Sequence, residues 1–425
     1  MTIVVFLGSL LGLMAFGMPI AFALILSGVA LMFHLDFFDA QLVAQNLLNG
    51  ADNFPLMAVP FFLLAGELMN AGGLSRRIVH LAMTFFGHIR GGLGFVAIGT
   101  GLLLASLSGS AIADTAAVAA LMIPMMRRYG YNLERSSGLI ASAGIIAPIF
   151  PPSMSFIIYG VATNVSITKL FMAGIAPALM MAGTLFVVWS WIARKENVPV
   201  EERASWGDCF RAIVDAFWAL LMPVIIIGGL RAGLFTPTET AVVAAVYALI
   251  IGLFVYRGLR VSDLPAVFIA SAKTTAVVMF LVASAMFTSY MITLADLPGE
   301  IIGMLEPILD HPKLLMAAIV ILLTLVGTAM DLTPTILILG PVLAPLVVKA
   351  GIDPVYFGVM FVITGAVGLL TPPVGTVLNV VCGVAGVSMQ GVIRGVWPYV
   401  IAYTVLIGLF VIFPELITVP ASWLH

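Results

Sequence analysis

Four short interruptions break otherwise apolar sequence, and they are where chemistry can sit. Two are polar clusters, Ser-Leu-Ser-Gly-Ser-Ala-Ile-Ala-Asp-Thr at 106–115 and Gly-Thr-Ala-Met-Asp-Leu-Thr-Pro-Thr at 327–335. The other two carry double prolines, Ala-Pro-Ile-Phe-Pro-Pro-Ser at 147–153 and Gly-Leu-Leu-Thr-Pro-Pro-Val at 368–374. Proline has no N–H, so Pro151, Pro152, Pro372 and Pro373 leave upstream carbonyls without their helical partners. Free carbonyls beside Ser and Thr hydroxyls are hard oxygen ligands, suited to a small cation such as sodium. The half-helix N-terminus on the far side of each break offers backbone N–H groups to an anion.

These interruptions define two candidate cation sites. One uses Ser106, Ala147, Phe150 and Ser153; the other uses Gly327, Gly368, Thr371 and Val374. Apolar side chains are no obstacle, because a carbonyl ligand needs none. Ser108, Ser110, Ser155, Asp331, Thr333, Thr376 and Asn379 are the candidates for a substrate cavity, with Asn164 a further one. An acid at membrane depth is costly and therefore informative. Asp114 either caps a half-helix or shapes the cavity, and the same choice holds for Asp331. Thr333-Pro334 reads as an N-cap followed by proline at the first helical position, which would free Asp331 from capping. Glu67 is expected to pair with an arginine at the membrane surface, and Glu239 and the scattered histidines to be interfacial.

The elements that must position these residues are membrane helices. Of 425 residues, 62% are hydrophobic and 9% charged, against about 25% charged in an ordinary soluble domain. Apolar runs of about 20 residues, enough to span a bilayer, recur throughout. Spans are expected at 3–16, 19–34, 53–73, 133–163, 170–193, 213–230, 238–256, 273–294, 353–386 and 396–416. The stretches 93–125 and 314–347 contain the two polar clusters, and 133–163 and 353–386 the double prolines. The N-terminus lacks the basic segment of a cleaved signal peptide, so the first run reads as a retained helix. A formal charge of −2 with no basic tract gives no sign of nucleic-acid binding. Cys209 and Cys382 lie far apart, with no redox or metal spacing.

Each polar-cluster stretch is either one kinked span or a re-entrant hairpin, and the distribution of basic residues decides between them. With both as hairpins and the N-terminus outside, 14 of the 18 Lys and Arg residues face the cytoplasm, leaving Lys169, Arg231, Lys313 and Lys349 outside. A single crossing at 93–125 would move Arg127, Arg128 and Arg135 outside, opposite Arg76 and Arg77. Segments 74–90 and 297–312, with charges mixed among apolar residues, suit helices lying along the membrane surface. The polar stretch 195–212 reads as a cytoplasmic connector between residues 1–194 and 213–425.

A shift of 221 positions relates the two parts. It lays Pro124 on Pro345, Gly130 on Gly351, Gly144 on Gly365, Pro151-Pro152 on Pro372-Pro373, Gly174 on Gly395 and Pro177 on Pro398. Gly and Pro mark special backbone, and chance would give about two such coincidences over that length. Each part crosses the membrane an odd number of times, so the second copy must be inverted. The expected fold is an all-α polytopic membrane protein of two inverted repeats, each with transmembrane helices, a re-entrant hairpin and a broken helix, a secondary-transporter design.

The chain resembles the large membrane subunit of the tripartite ATP-independent periplasmic transporters over essentially its whole length. The likeness rests on Pro-Phe-Phe-Leu-Leu-Ala-Gly-Glu-Leu-Met (60–69), Ser-Gly-Ser-Ala-Ile-Ala-Asp-Thr (108–115), Ala-Pro-Ile-Phe-Pro-Pro-Ser (147–153), Met-Asp-Leu-Thr-Pro (330–334) and Leu-Thr-Pro-Pro-Val-Gly (370–375). The resemblance implies an elevator-type carrier in the bacterial inner membrane, driven by a sodium gradient. It also implies a separate four-span small subunit, a periplasmic binding protein and a small carboxylate substrate: a dicarboxylate, sialic acid or sugar acid. No organic cofactor is expected. The nearest rival is a stand-alone sodium/dicarboxylate symporter. A membrane-embedded enzyme is disfavoured, because no His, Cys or acid cluster has metal-ligand spacing and no nucleophile motif appears.

Overall fold

A computed structural model describes residues 2–195, 203–372 and 374–424, apart from the side chains at 106–108, 305–307 and 424. The chain opens with α1 (Thr2–Ala15), α2 (Ile20–His34), α3 (Ala40–Ala51) and α4 (Ala58–Ala71), the last entered through a 3₁₀ turn at Phe54–Met57. Then come α5 (Leu74–Phe86), the hairpin of α6 (Gly92–Ser108) and α7 (Ala111–Arg128), the interrupted pair α8 (Leu133–Gly144) and α9 (Met154–Thr163), and α10 (Ile167–Ala193). After Ser205 follow α11 (Trp206–Arg231), α12 (Pro237–Ile250) with a π turn at Ile251–Val255, and α13 (Leu264–Leu294). Next are α14 (Leu297–Leu309), the hairpin of α15 (Pro312–Gly327) and α16 (Leu332–Lys349), the interrupted pair α17 (Pro354–Gly368) and α18 (Thr376–Ala385), α19 (Met389–Ile412) and α20 (Glu415–Leu424).

Local chemistry sets many of these starts. Asn132 accepts from the Arg135 N–H at 3.0 Å to open α8, and Asp353, 221 positions on, accepts from the Tyr356 N–H at 2.7 Å to open α17. Gly130 and Gly351, at φ 73° and 72°, make the left-handed turns that close the two hairpins' second arms. Helices α11 and α12 open with capping boxes, Ser205 with Asp208 and Thr236 with Glu239. Glu239 is thus part of a helix start.

The two interrupted pairs lie at the centre. Every residue of Ser136–Gly144 in α8 and Tyr356–Gly368 in α17 is buried. Helix α8 packs on α19 so closely that a Cβ on Gly395 would fall 2.3 Å from the Glu134 carbonyl oxygen. Each hairpin rests its first arm on its own half, α6 on α8 and α15 on α17, while its second arm packs on both halves: α7 on α8 and α18, α16 on α17 and α9. An outer group of α1–α4 and α11–α13 packs beside this centre, with α2, α3 and α4 packed on α13 and α12 on α4. Val277, Phe280 and Tyr290 of α13 stay exposed, as suits helices facing lipid.

Among the described residues, seven helices are long and apolar enough to cross a membrane, α10, α11, α13, α16 and α19 among them. Several expectations need correction. Helix α3 was unforeseen, because Gln41, Gln45, Asn46 and Asn49 deny it an apolar run; Asp39 caps it through the Gln41 and Leu42 N–H groups. The span expected at 396–416 ends at Ile412 and is followed by the separate α20. Helix α13 begins nine residues before the expected 273, with Lys273 exposed on its flank rather than marking its end; a lysine stem can lie along apolar surface while its head reaches water. Of the expected connector, 206–212 belongs to α11, and 196–202 lie outside the described residues.

Candidate functional site

The first break follows Gly144. The chain runs through turns, with Ala147 N–H on the Gly144 carbonyl at 3.2 Å and Phe150 N–H on Ile146 at 3.1 Å, until Ser153 opens α9. Pro151 cannot donate to the Ala147 carbonyl, nor Pro152 to that of Pro148. The Ser153 hydroxyl donates to the Pro148 carbonyl and accepts from the Phe156 N–H at 3.2 Å. One orphaned carbonyl is thereby satisfied, that of Ala147 keeps no helical donor, and one lone pair of the Ser153 oxygen stays unused. Ala147 and Ser153 are fully buried and Phe150 is half-buried. The first hairpin tip presses on this break: a Cβ on Gly109, whose φ is 62°, would fall 2.6 Å from the Pro152 carbonyl oxygen.

The second break follows Gly368. Its carbonyl accepts from the Thr371 N–H at 2.9 Å, and the Thr371 hydroxyl donates to the Val367 carbonyl at 3.1 Å. Gly375 precedes α18 at φ 51° without a side-chain cap, and its N–H reaches the Thr328 carbonyl of the second tip at 3.4 Å. Gly327 meets Gly368 backbone to backbone, a Cβ on Gly327 falling 2.9 Å from the Gly368 Cα. The Val374 carbonyl accepts from Asn379 Nδ2 at 3.1 Å and keeps a second lone pair. Pro373, and the side chains of Ser106 and Ser108, lie outside the described residues.

Both tips and both breaks border one cavity of about 40 Å³. Four candidate substrate residues, Ser110, Ser155, Asp331 and Thr333, line it; Thr376 and Asn379 do not. The first two residues of α7, α9 and α16 all contribute to its wall, so three helix N-termini converge there. Such ends carry unsatisfied N–H groups and partial positive charge, which favour an anion. No lysine or arginine is among the described lining residues. Where Asp331 is ionised, a carboxylate bound beside it needs a compensating cation close by.

The caps depart from expectation. Ser110, not Asp114, stands at the start of α7, accepting from the Ala113 N–H at 3.4 Å, while Asp114 is buried one turn in. Asp331, not Thr333, is the residue preceding α16, and it makes no side-chain cap bond. Pro334 is therefore the third helical residue, which its ring tolerates because the first four N–H groups of a helix have no intrahelical partner. Glu67 is half-buried with no ion pair to an arginine among the described residues. Asn164 closes α9 at φ 56° and lines a separate cleft with Asn53 and Thr236. Two hydroxyls outside the expected set, Thr115 and Thr364, bury Oγ1 with no hydrogen-bond partner among the described residues, as the candidate Thr376 does. Thr115 abuts Gly144, Thr364 precedes Gly365 and Thr376 begins α18. A lone hydroxyl in an apolar helix ordinarily bonds back to its own backbone, so the sequence carried no signal for Thr115 or Thr364.

The sequence pattern of the family described as "Tripartite ATP-independent periplasmic transporter, DctM component" matches residues 7–416. The chain belongs to this family. It is 55% identical to the 2,3-diketo-L-gulonate TRAP transporter large permease protein YiaN of Escherichia coli K12, over the full length of both chains. It is 38% identical to the sialic acid large permease SiaM of Vibrio cholerae, over 95% of each chain. With the C4-dicarboxylate large permease DctM of Pseudomonas aeruginosa it shares 37% identity over 90% of each. The fold is similar to that of the Alcanivorax borkumensis YdaH transporter, at a TM-score of 0.63 and 15% identity, covering 88% of each chain. MtrF of Neisseria gonorrhoeae superposes at a TM-score of 0.64 and 13% identity, covering 87% of this chain and 84% of that one. The protein is a TRAP transporter large permease, a multi-pass protein of the inner membrane and not an enzyme.

Proposed function

We propose that this permease carries a small organic acid inward, coupled to sodium, after receiving it from a periplasmic binding protein and in company with a small membrane subunit. The observation that carries the reading is the convergence of three helix N-termini and Asp331 on one cavity between two carbonyl-rich breaks. The N-termini supply the attraction for a carboxylate. Sodium at the breaks offsets the negative charge that substrate and Asp331 together bring to a site with no lysine or arginine among its described lining residues. Its ligands are the Ala147 carbonyl and Ser153 oxygen on one side, and the Gly368 and Val374 carbonyls and Thr371 oxygen on the other, with the residues at 106 and 327 completing each set. The name of the 55%-identical relative makes a sugar acid the first substrate to try, before sialic acid and C4-dicarboxylates.

Movement is part of the proposal. A cavity of about 40 Å³ is far below the roughly 300 Å³ at which small-molecule pockets begin, so a hairpin tip must withdraw to admit substrate. The elements support two inverted copies working as an elevator: α7 and α16 begin and end 221 positions apart, and the cross-packing of α7 on α18 is exchanged for that of α16 on α9. Two-fold-related copies would give this exchange.

The test is uptake of labelled sugar acids into proteoliposomes holding this chain with its small subunit, with the soluble receptor added outside. Uptake should require an inward sodium gradient and all three proteins. Unchanged uptake with choline in place of sodium would sink the coupling. Uptake by this chain alone would make it a stand-alone symporter instead.

A further inference from the structure

A slot of about 460 Å³ lies behind the second hairpin tip, between α1 of the outer group and the arms α15 and α16, with α14 along one side. Its wall on α15 is Leu315, Ala318, Ile319, Leu322 and Val326, one stripe at helical spacing. The matching stretches are 3–11 of α1 and 335–343 of α16. Thr335 is the only polar residue among the described lining residues, and its hydroxyl already donates to the Asp331 carbonyl at 2.8 Å. The deep wall is closed, with Leu10, Leu315 and Ile319 buried. The mouth is open: Leu7, Leu11 and Leu322 are 40%, 56% and 40% exposed, and Ala318 is exposed as well. Exposed leucines of a membrane-embedded chain face lipid, so the slot opens into the hydrocarbon layer.

We infer that the slot holds one acyl chain of an outer-leaflet phospholipid. Water does not fill an apolar void, because it needs several polar partners, and dry cavities of about 150 Å³ already take up small hydrocarbons. Length decides which hydrocarbon. At 1.5 Å per residue the α15 wall from Leu315 to Val326 runs about 16 Å, against about 15 Å for half of a bilayer's hydrocarbon core. In the arrangement that the basic residues favour, α15 enters from the outer side beside Lys313 and ends at the second tip. The slot therefore follows one leaflet from just below its surface to the midplane, as a lipid tail does. Its inner end is the back of the tip: Met330 and Thr335 line the slot, while Asp331 and Thr333 between them line the substrate cavity. A tail seated there braces the tip that the proposed transport cycle must withdraw; its bearing on gating rests on that reading, and its binding does not.

The test is photolabelling in proteoliposomes with phosphatidylethanolamine carrying a diazirine in its acyl chain, read residue by residue by mass spectrometry. Bulk lipid reaches only exposed side chains, so label on the buried Leu10 and Ile319 reports a chain inside the slot. That label is expected, and Ala318→Trp, which places an indole in the mouth, should lower it about tenfold. Label on Val277 and Phe280 of α13, which face lipid elsewhere, should not change. Ala318→Leu, a smaller intrusion, should give an intermediate loss and covers the case in which tryptophan disturbs the hairpin. Label confined to exposed residues, or equal label on Leu10 and Ile319 in all three proteins, would overturn the inference. So would loss of that label when the small subunit is added, which would assign the slot to protein, or label from a photoreactive free fatty acid but not from the phospholipid. Labelling needs no transport, so its failure would leave the sodium-coupled reading standing.

Discussion

The two breaks occupy equivalent places 221 positions apart, yet they are closed in different ways. The first supplies its own closure: Ser153 ties back to Pro148, caps α9, and is completely buried. The second has Val374 where the first has Ser153, and that residue is 41% exposed. Its helix α18 starts from a glycine without a side-chain cap, and the Gly375 N–H is met by the second hairpin. Withdrawing the first tip would leave the first break's hydrogen bonds standing. Withdrawing the second would strip a partner from Gly375, at a cost on the order of 1 kcal/mol or more for an unmet buried group. Matching prolines thus fix where each helix breaks, while single side chains decide how tightly each break depends on its hairpin.

The largest effect that would bear on this contrast is expected at the tips. Gly109 sits at φ 62° with the Pro152 carbonyl where a Cβ would go, whereas its counterpart Met330 already carries a half-exposed side chain. Gly109→Ala meets left-handed strain of about 1–3 kcal/mol and a backbone clash that no rotamer relieves. Uptake should fall to background and the thermal midpoint in detergent should drop by several degrees, while Met330→Ala should leave both near their starting values. Equal sensitivity of the two tips would break the comparison.

Next in size is a pair one turn before the breaks. A Cβ on Gly144 would lie 1.8 Å from the Thr115 oxygen and 2.8 Å from its Cβ, so the obstacle is a short, rigid side chain. On Gly365 it would meet only the end of Leu332, which can rotate away. Overpacking of a tight core costs about 1–3 kcal/mol, and Gly144→Ala should show that loss in melting experiments where Gly365→Ala shows little. A third test is Ser153→Ala. It removes an N-cap, typically worth about 1 kcal/mol, and a proposed sodium ligand together, so the sodium concentration for half-maximal uptake should rise several-fold. A change in stability with unaltered sodium dependence would leave Ser153 as a cap and nothing more.

Much of this arrangement was legible in the sequence because its signals are local. Spans expected to begin at 133 and 353 begin at Leu133 and Pro354, and the polar clusters and double prolines fall where the helices are interrupted. What escaped was non-local or ambiguous. Thr333-Pro334 resembles a helix start because proline suits the first turn, but that preference does not distinguish its first residue from its third. Nothing local separates a serine that caps from an aspartate four residues later, so the cap of α7 falls to Ser110, which also lines the cavity, and not to Asp114. That Ser110, Ser155, Asp331 and Thr333 share a wall depends on α16 packing against α9 across the two parts. Composition suggested their chemistry, and only the tertiary fold brings them together.

The smallest expected effect is also the most direct probe of the contrast between the breaks. Val374→Ser gives the second break the residue found at the first. Val374 is half-exposed and its carbonyl is held by Asn379, so losing its methyl groups should cost little stability. A hydroxyl there can accept an N–H at the start of α18, as Ser153 does for α9, and add one hard oxygen beside Thr371. If the second break is loose only because it lacks that group, Val374→Ser should lower the half-maximal sodium concentration by about twofold, the scale of a few tenths of a kcal/mol, and slow transport by making the tip harder to withdraw. If neither quantity moves, the looseness belongs to Gly375 and the backbone rather than to residue 374. The corresponding test would then be Gly375→Ala, whose left-handed φ of 51° should resist substitution as Gly109 does.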